Sequence, residues 1–135
     1  MNYFLAKTDP ETYSIEDFER DKETTWDGIN SAQALQAIKA MMPGDKVFIY
    51  HSMSKAMILG IAEVTSVARP DPKSLKSWVV DLRFLGRLKE PVGLREIKET
   101  GLFDDWNLVY QSRLSTMKVP EKFVMWMRDV KKLKI

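Results

Sequence analysis

The 135-residue chain contains no cysteine and a single histidine, His51. Without thiols there are no disulfides, no cysteine nucleophile and no zinc site built on thiolates. One histidine cannot complete the usual zinc or iron ligand sets. A carboxylate magnesium site is the metal chemistry left, and Asp104-Asp105 is only a common loop pair. The six glycines are scattered, so no Gly-rich phosphate loop is present, and no Gly-x-Ser-x-Gly elbow surrounds a serine. No apolar run is long enough to cross a bilayer, and "MNYFLAKTDP" has too short an apolar stretch for a signal sequence. The expected location is the cytoplasm, and no metal, cofactor or membrane partner is expected. These absences weigh against a hydrolase or a transferase.

What is present is ordinary for a globular protein: 44% hydrophobic and 30% charged residues, enough for one domain over residues 1–135 with its own core. The net charge of +2 is unevenly placed. Residues 1–30 carry three Lys/Arg against eight Asp/Glu, whereas residues 112–135 carry seven against two. That asymmetry fits a polyanionic partner, and it equally fits a solvated C-terminal face.

Strand and helix signals are interleaved. "YFLA" (3–6), "KVFIYH" (46–51), "MILGIAEVTSVAR" (57–69) and "SWVVDLRFLGRL" (77–88) read as strands. Gly60 and Gly86 lie inside the last two and suit bulges or corners. Ser14 can cap a short helix over "IEDFER" with Asp17 at the capping-box position. "SAQALQAIKAMM" from Ser31 is the clearest helix, ended by Pro43-Gly44. "LREIKET" reads as a short helix stopped by Gly101, and a last helix starts at Pro120 with Phe123, Trp126, Met127 and Val130 on one face. Without regular strand–helix alternation, the pattern favours an α+β fold with a curled sheet or small barrel.

His51 and Ser52 are neighbours in a strand, so their side chains point to opposite faces and do not form a nucleophile–base pair. A binding pocket is easier to build. Trp26-Asp27, Tyr50-His51-Ser52 and Gln111-Ser112-Arg113-Leu114-Ser115 each combine ring or apolar surface with hydrogen-bonding groups at the edge of an element. A planar base is held by stacking on an aromatic face while polar groups read its edge. Trp26 suits a core or a pocket wall equally, Trp78 and Trp126 read as core, and Trp106 fits either.

The chain resembles the EVE domain family, which includes the thymocyte nuclear protein family and sits in the PUA-like superfamily. The matching stretches are "YFLAKTDPETYS" (3–14), "WDGI" (26–29), "PGDKVFIYHS" (43–52), "GIAEV" (60–64), "PDP" (70–72), "WVVDL" (78–82), "PVGLREIK" (91–98) and "QSRLSTMKV" (111–119). The resemblance implies a PUA-like mixed β-barrel flanked by short helices. It also implies a reader of DNA or RNA that accommodates a modified base, rather than an enzyme. Carried over, the expected base site is Trp26, Asn30, Ser31, Gln33, Tyr50, His51, Ser52, Arg113, Leu114 and Ser115, with Thr8 nearby. The expected phosphate contacts are Lys7, Arg113 and Lys118, and the expected state is a monomer. A small-molecule or free-nucleotide domain, or an enzyme on modified nucleic acid, are the alternatives.

One stretch departs from the family. After "WDG" the family usually runs valine-arginine-asparagine-tyrosine-glutamine-alanine-arginine-asparagine, whereas residues 29–36 here read "INSAQALQ". Asn30, Ser31, Ala32 and Leu35 replace an arginine, an asparagine, a tyrosine and a second arginine. That removes two phosphate or base contacts and a stacking surface, so the resemblance implies a kept fold with an altered or weakened ligand preference. Within the family pattern His51 becomes a hydrogen-bonding pocket wall, whereas from the residues alone it is a strand-end histidine bonded to nearby backbone.

Overall fold

The computed structural model describes residues 1–52 and 55–134. Among them run β1 (Tyr3–Thr8), α1 (Ile15–Asp21), β2 (Glu23–Trp26), α2 (Ala32–Ala40), β3 (Lys46–His51), β4 (Met57–Val64) and β5 (Arg69–Pro70). They are followed by β6 (Trp78–Gly93), α3 (Leu94–Thr100), α4 (Asn107–Tyr110), β7 (Thr116–Lys118) and α5 (Glu121–Asp129). The strands lie in the order β2-β6-β4-β3-β1-β7, with β5 on β6. Among the described residues only the β1–β3 pair is parallel. The sheet is curled, and α2 packs against both β7 and β6.

Local chemistry sets the helix starts. Ser14 Oγ accepts from the Asp17 N–H at 3.1 Å while Asp17 Oδ2 accepts from the Ser14 N–H at 2.9 Å, a complete capping box. Ser31 Oγ accepts from the Ala34 N–H and caps α2. The four replacements at residues 30–35 thus leave a helix, and Leu35 joins the core.

Curling comes from slips in register. The β3–β4 ladder slips between Ile49 and Tyr50, and β4–β6 slips between Ile58 and Gly60 and between Ile61 and Ala62. Gly60 pairs with Ile49 and Arg87, Gly86 with Ile61, so both glycines fall at the bends expected of them. A Cβ at Gly60 would stand 2.8 Å from Ile15 Cδ1 and 3.0 Å from the Gly86 carbonyl oxygen. The strand is bare there because α1 lies on it. Gly60→Ala is therefore expected to lower stability by about 1–3 kcal/mol. Ile15→Val deletes the clashing methyl, so in urea denaturation the double variant should lose less than the sum of the single losses.

Several expectations are corrected. The strand expected over 57–69 stops at Val64, and Arg69–Pro70 forms a separate strand against Trp78 and Val79. β6 runs past Leu88 to Gly93 and contains Pro91, which falls where the ladder jumps from Arg87 to Val92 and so loses no β4 bond. α2 ends at Ala40 rather than Met42, whose N–H is taken by buried Asp45 at 3.0 Å. Pro120 caps α5 rather than entering it. That helix ends at Asp129, which leaves Val130 59% exposed while Phe123, Val124 and Met127 are buried. Trp106 is core, and Trp78 and Trp126 are only partly buried.

Successive strand residues face opposite ways. Ile49 pairs with Gly60, which meets Ile15 of α1, whereas the Phe48 ring meets Phe123 of α5 at 6.0 Å. α1 and α5 therefore cover opposite faces of the curled sheet.

Candidate functional site

The ends of β1 and β2 and the segment entering β7 enclose a cleft of about 480 Å³. That is within the usual range for a small-molecule site, roughly 300–1,000 Å³. Trp26, the last residue of β2, forms one wall. It is 6% exposed and packs against Phe18 at 6.0 Å and edge-on against Tyr13 at 6.3 Å. The chain then turns through Asp27 and Gly28. Gly28 has φ of +77°, a left-handed conformation that a glycine adopts without strain. Ile29 closes the turn, and its carbonyl accepts from the buried Ser77 hydroxyl at 2.7 Å.

The opposite wall is the end of β1. The Lys7 N–H donates to the Ser115 carbonyl and Lys7 Nζ to the Ser112 carbonyl, each at 2.8 Å. Lys7 Nζ also stands 5.4 Å from the centre of the Tyr50 ring. Burial holds the Lys7 pKa below its ordinary value and raises that of Tyr50. Thr8 Oγ1 donates to the Tyr13 carbonyl at 2.7 Å. The Asp9 carbonyl accepts from the N–H groups of Thr12 and Tyr13, and Asp9 Oδ1 accepts from the Glu11 N–H, which ties the Asp9–Tyr13 turn down. Asp9 and Asp27 both line the cleft beside Lys7. Lys7, Asp9 and Asp27 thus line the same cleft as Trp26.

Of the residues expected from the sequence, the structure brings Lys7, Thr8, Trp26 and Ser115 together in this cleft. Tyr50 lies under Lys7, and Ser52 sits beside it with N–H and Oγ both on the Thr8 carbonyl, at 3.0 and 3.3 Å. Asn30 and Arg113 are exposed, Ser31 is spent on capping, and Leu114 is buried in the core. Gln33 pairs with Gln111 outside the cleft. Lys118 is separated from Lys7: it pairs with Phe4 and lines a groove with Tyr3 and Arg128. Asp9, Thr12, Tyr13, Thr24 and Thr25 also line the cleft and were not singled out from the sequence, although "KTDPETYS" held the first three. Among the described residues no three His, Asp or Glu side chains come together as a metal ion would need.

His51 is not in the cleft lining. Its Nε2 accepts from the Ile15 N–H at 2.9 Å, an otherwise orphan donor in the first turn of α1. Burial, with Arg87 assisting and Glu16 opposing, holds its pKa below the ordinary 6.5. Only neutral imidazole can accept this bond. Above the unfolded pKa the contribution is fully present. As pH falls from there, the unfolded chain takes up a proton that the folded chain refuses, so stability drops until the folded pKa is passed. His51→Ala is expected to cost roughly 1 kcal/mol at neutral pH. The gap between wild type and variant should narrow as pH falls below 6.5, as read by urea denaturation across pH.

A family model described as the EVE domain matches residues 2–130. Thymocyte nuclear protein 1 of Rattus norvegicus is 33% identical, over 72% of this chain and 55% of its own length. The Homo sapiens protein is 31% identical, over 72% and 56%. The chain thus spans about half the length of these relatives. Among solved structures, protein Atu2648 from Agrobacterium tumefaciens superposes with a TM-score of 0.90 at 31% identity, covering 98% of this chain and 94% of that one. Human THYN1 protein in complex with 5-methylcytosine-containing DNA superposes with a TM-score of 0.88 at 22% identity, covering 100% of both chains.

Proposed function

The chain belongs to the EVE domain family, and on that premise we propose that it is a nucleic-acid-binding domain that holds one base, a modified cytosine, in the cleft against Trp26. The observation that carries this reading is the lining of the cleft. Trp26 brings aromatic surface to the cleft wall for a base to pack against. Asp9 and Asp27 disfavour a phosphate there and suit an exocyclic amino group, which a carboxylate accepts as it does from cytosine N4. Lys7 and Ser115 add donors for the carbonyl edge of the same base. The DNA with 5-methylcytosine held by the human relative supports this base class.

A base inside a duplex must leave its stack to enter, at a cost of about a few kcal/mol, and a single strand avoids most of that cost. Phosphates stay outside, where the exposed Arg113 beside the cleft-lining segment is placed to meet them. Lys118 is left out of this reading because it lines the separate groove.

The test is a fluorescence-polarisation titration of short single-stranded DNA and RNA. Each carries one central cytosine or adenine, plain or methylated, at two salt concentrations. The reading expects tightest binding to a methylated cytosine, with log affinity falling against log salt by about 0.7 per phosphate neutralised. Equal binding of all the oligonucleotides would remove the base-reading role. Binding of free nucleosides with no salt dependence would replace the polymer with a small ligand.

A further inference from the structure

A strip of side chains beside the cleft is not used by the reading above. Tyr110, the last residue of α4, is 63% exposed. It is nonetheless held in place. Asn107 Nδ2 donates to its hydroxyl at 3.2 Å and to Gln111 Oε1 at 2.9 Å. Gln111 and Gln33 exchange amide bonds at 2.6 and 3.2 Å, which joins the strip to the first turn of α2. α4 itself is anchored by buried Leu108 and by Trp106, whose indole N–H donates to the Lys118 carbonyl at 3.0 Å. The strip is linked to the cleft-lining Lys7 through Ser112. Ser112, two residues beyond Tyr110, receives the Lys7 ammonium. Two residues span at most about 7 Å.

We propose that Tyr110 and the Gln33–Gln111 amide pair form a second nucleotide site, which takes the base next to the one in the cleft. The inference rests on the cleft reading above. The chemistry fits a base better than a peptide side chain. An exposed aromatic ring fixed by its hydroxyl is a stacking platform at little entropic cost. Each glutamine amide gives one N–H to its partner and keeps a second for a base edge. The amide groups read edges without adding charge, so the site is indifferent to phosphate and selective for a base. A single strand with its central base against Trp26 would pass over the Ser112–Ser115 segment and lay its neighbour on Tyr110.

The experiment compares wild type with Tyr110→Ala and Tyr110→Phe against two probes, both carrying 5-methylcytosine. One is the free nucleotide monophosphate and the other a single-stranded pentamer with the methylated base at its centre. The inference expects Tyr110→Ala to weaken pentamer binding by roughly 5- to 150-fold, the range for loss of one stacked base. Mononucleotide affinity should stay within a factor of two, and Tyr110→Phe should restore most of the pentamer affinity. An unchanged pentamer affinity in Tyr110→Ala overturns the second site and leaves the cleft reading standing. So does an equal loss for both probes, which would place Tyr110 in support of the cleft itself. Wild type that binds neither probe overturns the cleft reading, and the second site with it.

Discussion

Trp26→Phe is expected to leave the protein folded and to weaken its affinity for an oligonucleotide carrying 5-methylcytosine by roughly 5-fold, the low end of the range for loss of a whole stacked base. Phenylalanine keeps the ring contacts that hold the wall, with Phe18 at 6.0 Å and Tyr13 at 6.3 Å, but presents a narrower face to the cleft. Trp26→Ala is expected to do more. With 6% of its surface exposed, Trp26 is also core, and its truncation should cost about 3–5 kcal/mol of stability. The pair of variants separates the two roles. Polarisation titrations below the unfolding temperature give the affinity, and urea denaturation gives the stability. Full affinity in Trp26→Phe would mean that the indole does not face the ligand.

Phe123→Ala is expected to be the most destabilising change outside the cleft, at about 3–5 kcal/mol. The ring is fully buried and lies 4.6 Å from Trp106, 5.1 Å from Phe103, 5.6 Å from Trp126 and 6.0 Å from Phe48. It joins α5 and the segment before α4 to the sheet. Against a total stability on the order of 5–15 kcal/mol, this is enough to lower Tm by roughly 10 °C or more. A loss below about 1 kcal/mol would show that the cluster repacks around the gap.

The parts of this fold that were legible in the sequence are those written in local chemistry. Ser14 with Asp17, and Ser31 ahead of "AQAL", announce helix starts because the capping bonds span three residues. Gly60 announces a bend because nothing larger fits under Ile15. β7 and α4, at three and four residues, are too short to show a period. The last helix was read one residue too far because Val130 continues the apolar spacing that Asp129 ends in the structure.

The site was legible only in part, for a topological reason. β1 and β2 are far apart in the strand order, yet both line the cleft because the sheet curls. No spacing in the sequence announces that Tyr13, Thr24 and Lys7 share a cleft. The three residues of "YHS" divide between the two faces of their strand. Tyr50 lies under Lys7 and Ser52 binds the Thr8 carbonyl, while His51 between them serves α1. Its partner is a backbone N–H, as the residues alone suggested for a strand-end histidine, although which N–H takes the bond is not written in side-chain identity.

The most direct test of the central claim is the indole N–H spectrum of the protein, with the four tryptophans labelled with nitrogen-15 and the Trp26 peak identified by its loss in Trp26→Phe. A single-stranded oligonucleotide with one central 5-methylcytosine is then added stepwise. The account predicts that the Trp26 peak moves progressively to saturation, while Trp106, buried and bonded to the Lys118 carbonyl, stays in place. Binding with Trp26 stationary would contradict it and move the ligand elsewhere on the molecule.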